Sequence, residues 1–251
     1  MRNLLIIVFA FFLGGSSCNK PLIPNKAEIH LRGKEDVAEI NLIGNDTLRH
    51  YFDDGTLGGI TPYRDGKKHG KEVWYYSSGY LEKTVEYEDG GRYGDTKAYY
   101  ENGIQSEDLY YYDDVPVGNA HFQHSNSMPS AYRSFDFEGC MRYIRKYDEK
   151  GKLLKVEGTA LGQVAIIKKG GDTLKLAVSY ARPTGTHNKV SAKVYRNGVE
   201  KEEKVLLKTG VGILMIYDFS AVDSVLFIGE LEDFLFDQPV VKDSLVYVNP
   251  H

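Results

Sequence analysis

Few residues of this chain stand at spacings that support catalysis or metal binding. His121 and His124 are close in sequence, and Asp113 and Asp114 precede them, so together they suggest a metal site. An i, i+3 spacing, however, brings two side chains together on a helix and not on a strand. Exposed polar groups of a hairpin are the simpler interpretation, and we expect neither a metal site nor a cofactor.

Catalytic motifs give no support for an enzyme either. The sequence has no G-x-S-x-G motif, no phosphate-binding loop and no zinc-binding helix motif. A glycan hydrolase needs a carboxylate pair in a cleft, and nothing singles out two of the abundant Asp and Glu residues. The sequence therefore predicts a protein that binds or scaffolds, with an envelope enzyme as the alternative.

The first residues have the pattern of an export signal. Arg2 is followed by an apolar run from Leu4 to Leu13 and by four small residues before Cys18. The run is too short to cross a bilayer as a helix, which takes about 20 residues. We expect residues 1–17 to be a cleaved signal peptide.

The small residues that end in Cys18 resemble a bacterial lipobox, although Gly15 stands where that family usually has Leu. The resemblance implies that Cys18 is diacylated, that residues 18–26 form a lipidated tether, and that the membrane is one partner. The implied location is the cell envelope, at the outer membrane of a Gram-negative bacterium. An ordinary cleaved signal and a retained anchor are the alternatives. For Cys140, the sequence predicts a small buried hydrophobe rather than a nucleophile.

The composition limits the class of protein further. Across 251 residues, 31 Lys and Arg stand against 35 Asp and Glu, a net charge of −4, which gives no basis for a nucleic-acid partner. A hydrophobic content of 42% allows one or two cores. The unusual numbers are 19 Tyr and 26 Gly, and their spacing explains them.

Tyrosines and glycines recur at an interval of 24 residues, which indicates a repeat array over residues 48–158. The fourth unit is degenerate, since Ser127 stands where the other units have Gly, and we expect an altered turn there. The main series are Gly55, Gly79 and Gly103; Tyr51, Tyr75 and Tyr99; and Tyr63, Tyr87 and Tyr111.

Each unit carries two hairpin signals. Asp-Gly, Ser-Gly and Asn-Gly pairs supply the positive φ that tight turns require, and aromatic and β-branched residues lie between them. An all-β fold follows, in which consecutive hairpins form an antiparallel meander. The expected structural turn residues are Gly55, Gly66, Gly79, Gly90 and Gly103.

The segment Tyr63–Gly70, followed by Tyr75–Leu81, resembles the variant MORN repeat of bacterial proteins, which is often labelled antitoxin-like. The resemblance implies a β-hairpin repeat array and a turn or packing role for His69. MORN arrays act as scaffolds and as partner- or lipid-binding surfaces without a shared reaction. An antitoxin-like immunity role requires a cytoplasmic protein and conflicts with the export signal.

Flanking segments complete the predicted organisation. Residues 27–47 are expected to form N-terminal cap strands, and residues 159–251 a small β-sandwich. In the latter, Leu174, Leu176 and Val178 alternate with polar or small residues, and six or seven short strands fit an immunoglobulin-like domain. Four Asp-Ser/Thr-apolar triplets, which begin at Asp46, Asp172, Asp223 and Asp243, resemble O-glycosylation acceptors of exported proteins, although plain turn chemistry is the alternative.

The two tyrosine columns are the best candidates for a functional surface. If one column is exposed along the array, it forms an aromatic strip for a protein or glycan of the cell envelope. The alternative is that the rings only pack across neighbouring strands. The candidate residues are Tyr51, Tyr63, Tyr75, Tyr87, Tyr99 and Tyr111.

Overall fold

A computed structural model describes residues 45–249 apart from 171, 209–210, 218 and 234–240. The expected signal peptide and tether, and residues 27–44 of the expected cap strands, lie outside the described residues. Within that part the chain is all-β, as predicted, with one 3₁₀ turn at Phe219–Ala221. None of its helical segments is long and apolar enough to cross a membrane.

The described residues form nineteen strands. In chain order they are β1 (Asn45–Tyr51), β2 (Leu57–Arg64), β3 (Lys67–Lys68), β4 (Gly70–Tyr75), β5 (Leu81–Glu88), β6 (Gly91–Tyr99), β7 (Gln105–Tyr112), β8 (Val115–Gln123), β9 (Pro129–Phe135), β10 (Met141–Tyr147), β11 (Leu153–Gly158), β12 (Leu161–Gly170), β13 (Thr173–Tyr180), β14 (Thr186–Arg196), β15 (Val199–Glu203), β16 (Leu206–Lys208), β17 (Val211–Tyr217), β18 (Val222–Asp233) and β19 (Val241–Val248).

The first eleven strands form one antiparallel sheet in which spatial order follows chain order. Only the two-residue strand β3 leaves this path, because it pairs with β2 alone. A sheet of this kind is the predicted meander of consecutive hairpins. Each strand pairs mainly with its neighbours in sequence, as in other repeat proteins.

The turns at one end of this sheet share a single geometry. In the first, the Phe52 N–H donates to Thr56 O (2.8 Å) and the Gly55 N–H donates to Phe52 O (2.9 Å). Gly55, Gly79 and Gly103 occupy equivalent positions with φ of 82°, 83° and 82°. These angles lie in the left-handed region, where a side chain is strained. The glycine series therefore marks the residue at which each hairpin reverses.

The fourth turn of this series keeps the same geometry without glycine. The His124 N–H donates to Met128 O (2.8 Å) and the Ser127 N–H donates to His124 O (3.0 Å), while Ser127 adopts a φ of 67°. The expectation of an altered turn is therefore wrong. The pairing of the adjoining strands β8 and β9 holds Ser127 in a conformation that is unfavourable for a non-glycine residue.

Turns at the opposite end use two consecutive left-handed residues. Asp65 and Gly66 have φ of 50° and 74°, and Asp89 and Gly90 have φ of 50° and 99°. Positive φ at both central residues defines the type I′ turn, whose twist matches that of the flanking strands. The Asp-Gly pairs of the sequence are the local cause of these hairpins.

The C-terminal strands form two four-stranded antiparallel sheets, β12-β13-β17-β16 and β15-β14-β18-β19. Labelled A to G with C′ after C, this is the A-B-E-D and C′-C-F-G order of an immunoglobulin-like sandwich. From residue 159 onward the described part of the chain contains eight strands, whereas the sequence predicted six or seven. The core between the sheets is apolar, with Leu176, Leu214 and Phe227 at its centre, each less than 2% exposed.

The sandwich packs directly against the last hairpins of the long sheet. Tyr132, Tyr143, Ala160, Ala181 and Leu231 form one buried apolar cluster that spans the junction. The Tyr132 hydroxyl accepts the Arg182 N–H at 2.5 Å, and burial raises the pKa of this phenol. Only residues 159–160 separate β11 from β12. The two units are therefore joined by packing as well as by the chain.

Candidate binding surface

The column of Tyr63, Tyr87 and Tyr111 lies half-buried along the long sheet. Cationic side chains cover two of its three rings: Lys68 Nζ is 4.8 Å from the centroid of Tyr87, and Arg92 Cζ is 4.0 Å from that of Tyr111. A cation over the face of a ring is attracted by its quadrupole. These tyrosines therefore pack within the array.

The column of Tyr51, Tyr75 and Tyr99 stands at β-bulges. The register between paired strands shifts at each of these residues. Tyr51, on the edge strand, is 61% exposed, whereas Tyr75 and Tyr99 are partly buried. Neither predicted column is thus exposed along its length, and the rings do not form the continuous aromatic strip that an exposed column would give.

A third series, which the sequence analysis did not identify, connects each turn to the next. Its side chains reach a backbone carbonyl one repeat further along, which ties neighbouring hairpins together where strand pairing has ended. The signal was available, because Tyr76 and Tyr100 are the second members of aromatic pairs that recur after 24 residues, and His124 follows at the same interval. The contacts are Tyr76 Oη to Tyr99 O (2.7 Å), Tyr100 Oη to Gln123 O (2.9 Å) and His124 Nε2 to Tyr147 O (3.3 Å).

Three other tyrosines are exposed together on strands β6 and β7. Tyr93 is 38% exposed, Tyr110 42% and Tyr112 39%. The ring centroids of Tyr93 and Tyr112 are 5.1 Å apart. Since alternate residues of a strand point to opposite faces, Tyr110 and Tyr112 face away from the covered Tyr111. We call Tyr93, Tyr110 and Tyr112 the tyrosine trio.

The trio does not follow the repeat. At the equivalent positions, one or two intervals of 24 residues away, the neighbouring hairpins have side chains of other types. These hairpins nevertheless fold in the same way. The hairpin therefore does not require an aromatic side chain at these positions. The equivalents are His69 and Val117 for Tyr93; Pro62, Glu86 and Ser134 for Tyr110; and Arg64, Glu88 and Asp136 for Tyr112.

Carboxylates border the trio on one side. Asp95 is the cross-strand partner of Tyr110, and the Asp95 N–H donates to Glu86 Oε2 at 3.2 Å. Partial burial raises the pKa of Tyr110, and the neighbouring Tyr93, Asp95 and Glu86 raise it further. The surface next to Tyr110 therefore has a negative potential.

A shallow depression of about 340 Å³ adjoins the trio, and Tyr93 forms part of its wall. Its polar lining comes from His69, Lys71, Glu86 and Glu88. A second shallow depression, of about 420 Å³, lies on the sandwich beside Val190 and residues 202–205. Of these two depressions, the first is the one that adjoins exposed tyrosines, a residue type enriched at interfaces.

The histidines that suggested a metal site have other contacts. His121 packs edge-on against Tyr132 with centroids 5.2 Å apart, and burial lowers the pKa of its imidazole. His124 belongs to the turn-to-turn series. Among the described residues, no three His, Cys, Asp or Glu side chains group as metal ligands. Cys140 is buried, as expected.

One buried ionic cluster lies near the first strands of the array. Glu72, 3% exposed, accepts hydrogen bonds from Lys68 Nζ (2.7 Å) and Thr61 Oγ1 (2.9 Å). Burial alone would raise the pKa of Glu72, but Lys68 and Thr61 outweigh it and hold the pKa below its ordinary value. His50 stacks on Trp74 at 4.8 Å, and burial lowers the pKa of its imidazole. These bonds link β2 to β4 and explain the cluster as part of the packing.

Acidification should therefore weaken the array through Glu72. A depressed folded pKa stabilises the protein above the unfolded pKa, 4.5 for Glu, and this contribution is lost as the pH falls through the folded value. Glu72→Gln should lower the free energy of unfolding at pH 7 by about 1–3 kcal/mol, since Lys68 loses its counter-charge. Denaturant titrations from pH 7 to about pH 3 measure both effects. Glu82→Gln, at an exposed position, is the control, and parallel pH curves for Glu72→Gln and the unmodified protein would contradict the assignment.

The chain matches no protein-family model and no curated protein.

Proposed function

We propose that this protein is a non-catalytic lipoprotein of the cell envelope that binds or scaffolds another envelope component through its repeat sheet. The observation that carries the proposal is the tyrosine trio, three adjacent rings that are exposed although the repeat does not require them. Tyrosine offers a large, rigid contact area with a polar tip and is enriched at interfaces.

The scaffold around the trio suits recognition. Side-chain bonds from turn to turn and the covered tyrosine column fix the hairpins on both sides of β6 and β7. A surface that is ordered before binding loses less conformational entropy when a partner docks. The partner is a protein or a glycan, and the acidic border of the trio gives no support for nucleic acid.

Sequence resemblances support an envelope location for this binding surface. The segments Tyr63–Gly70 and Tyr75–Leu81 resemble the MORN repeat, a class that serves as scaffold and contact surface. The lipobox-like residues before Cys18 suit a chain that is held on a membrane by acyl groups. The proposal therefore joins a lipid anchor, a rigid array with a tyrosine surface and a β-sandwich in one exported protein.

The anchor is tested by Cys18→Ala, which should abolish metabolic labelling with a fatty acid and leave an uncleaved or mislocalised precursor. The reason is that only a thiol accepts the diacylglyceryl group. Cys140→Ala is the matched control and should retain the label. Labelled Cys18→Ala protein would contradict lipidation at this residue.

The binding surface is tested by placing a photo-crosslinking amino acid at Tyr110 or Tyr112 in intact cells. Illumination should give a discrete adduct from either position, because both rings lie in the surface that the partner covers. The matched control is Tyr80, a 60% exposed tyrosine at a turn outside the trio. The same adducts from Tyr80, or none from the trio, would count against a binding role for this surface.

A further inference from the structure

The array places cations over its own aromatic rings. Arg92 lies 4.0 Å from the centroid of Tyr111, Lys68 lies 4.8 Å from that of Tyr87, and the Arg133 guanidinium is 4.6 Å from the Phe122 ring. Each cation belongs to the same array as the ring it covers. Cation–π pairs of this kind are most favourable when the partners are partly removed from water.

The tyrosine trio differs in this respect. Within the described part of the chain, no Lys or Arg side chain lies over the ring of Tyr93, Tyr110 or Tyr112. The three rings are nevertheless exposed and close together. Their faces are thus open to a cation that this part of the protein does not supply.

Carboxylates beside the trio are also short of counter-charges. Glu86 and Glu88 form no ion pair with the described residues, and the closest cation to Asp95 is Lys97, at 3.9 Å. Lys71 lies in the same depression as the two glutamates and offsets part of their charge. Lys97 offsets Asp95, and among Lys71, Glu86 and Glu88 one negative charge remains.

We infer that the partner of this surface is a polypeptide segment that presents arginine or lysine side chains to the trio and to Glu86 and Glu88. This inference rests on the proposed function and names the chemical class of its ligand. An arginine fits both features at once, because its planar guanidinium stacks on a ring and donates two parallel hydrogen bonds to a carboxylate. A neutral glycan would also stack on tyrosines, and its hydroxyls donate hydrogen bonds to carboxylates, but it brings no positive charge to offset theirs.

The inference is tested on the purified full-length mature protein with a fluorescent hexapeptide, Gly-Arg-Gly-Arg-Gly-Arg amide. The probes for comparison are the same peptide with citrulline in place of arginine, and chitotetraose as a neutral glycan. Fluorescence anisotropy measures the peptides, and calorimetry measures the glycan. We expect the arginine peptide to bind at least 10-fold more tightly than the citrulline peptide.

Two pairs of Glu→Gln substitutions separate a specific site from general charge attraction, and a third double variant tests the tyrosines. Glu86→Gln with Glu88→Gln should weaken binding of the arginine peptide at least 5-fold. Glu82→Gln with Glu101→Gln removes the same charge from exposed positions near the opposite turns and should leave binding unchanged. Tyr110→Ser with Tyr112→Ser should also weaken binding at least 5-fold.

Several outcomes would overturn the inference: equal binding of the arginine and citrulline peptides, equal losses in the two glutamine pairs, or binding of chitotetraose alone. Each of these is compatible with a specific adduct from Tyr110 in the crosslinking experiment. In that case the proposed binding role stands and only the cationic ligand fails. If Tyr110 also gives no adduct, the binding role itself fails.

Discussion

The chain reverses once every 24 residues at one end of the long sheet, and each of these turns requires a residue with a positive φ. These turns set the geometry of the sheet. Gly55, Gly79 and Gly103 meet this requirement, and Ser127 meets it at the cost of strain. Because the turns recur at a constant interval, the strands that follow the chain order through the sheet have similar lengths of six to nine residues and pair in sequence. The side-chain bonds from one turn to the next, such as Tyr76 Oη to Tyr99 O, then hold neighbouring hairpins at a fixed spacing.

This repeating framework separates two kinds of tyrosine. Tyr87 and Tyr111 recur because every hairpin needs a ring at that position, and a cation from the array covers each of them. Tyr93, Tyr110 and Tyr112 occur once, at positions where the neighbouring hairpins have other side chains. Side chains that recur in each hairpin are thus the ones that the array uses for packing. We propose that exposed aromatic side chains which do not recur are the ones that contact a partner.

Local signals explain why much of the fold could be predicted from the sequence. Asp65-Gly66 and Asp89-Gly90 specify their hairpins within a few residues, and the alternation around Leu176 marks a buried strand. The pairing of β13 with β17 could not be predicted, because contacts between distant strands leave no local pattern. The fourth turn was misjudged because strand pairing forces Ser127 into a conformation that its residue type disfavours.

The candidate surface was predicted less well, for a physical reason. Columns of repeated tyrosines were the visible pattern, yet burial of a ring in a single sheet depends on which neighbours reach over it. Arg92 covers Tyr111, whereas no Lys or Arg of the described structure lies over the ring of Tyr110 or Tyr112. In the triplet Tyr110-Tyr111-Tyr112, the alternation of side chains along a strand puts the middle ring on the opposite face of the sheet from the other two. This triplet was the sequence pattern from which the exposed surface could have been predicted.

The proposed binding role requires the tyrosine trio to be dispensable for the fold. Its most direct test compares the free energy of unfolding of a triple Tyr93, Tyr110, Tyr112→Ser variant with that of a matched triple Tyr63, Tyr87, Tyr111→Ser variant. The trio variant should lose about 1 kcal/mol or less, the scale of a cross-strand pair, and the framework variant about 3 kcal/mol or more. Equal losses in the two variants would contradict the account, because the trio would then be part of the packing.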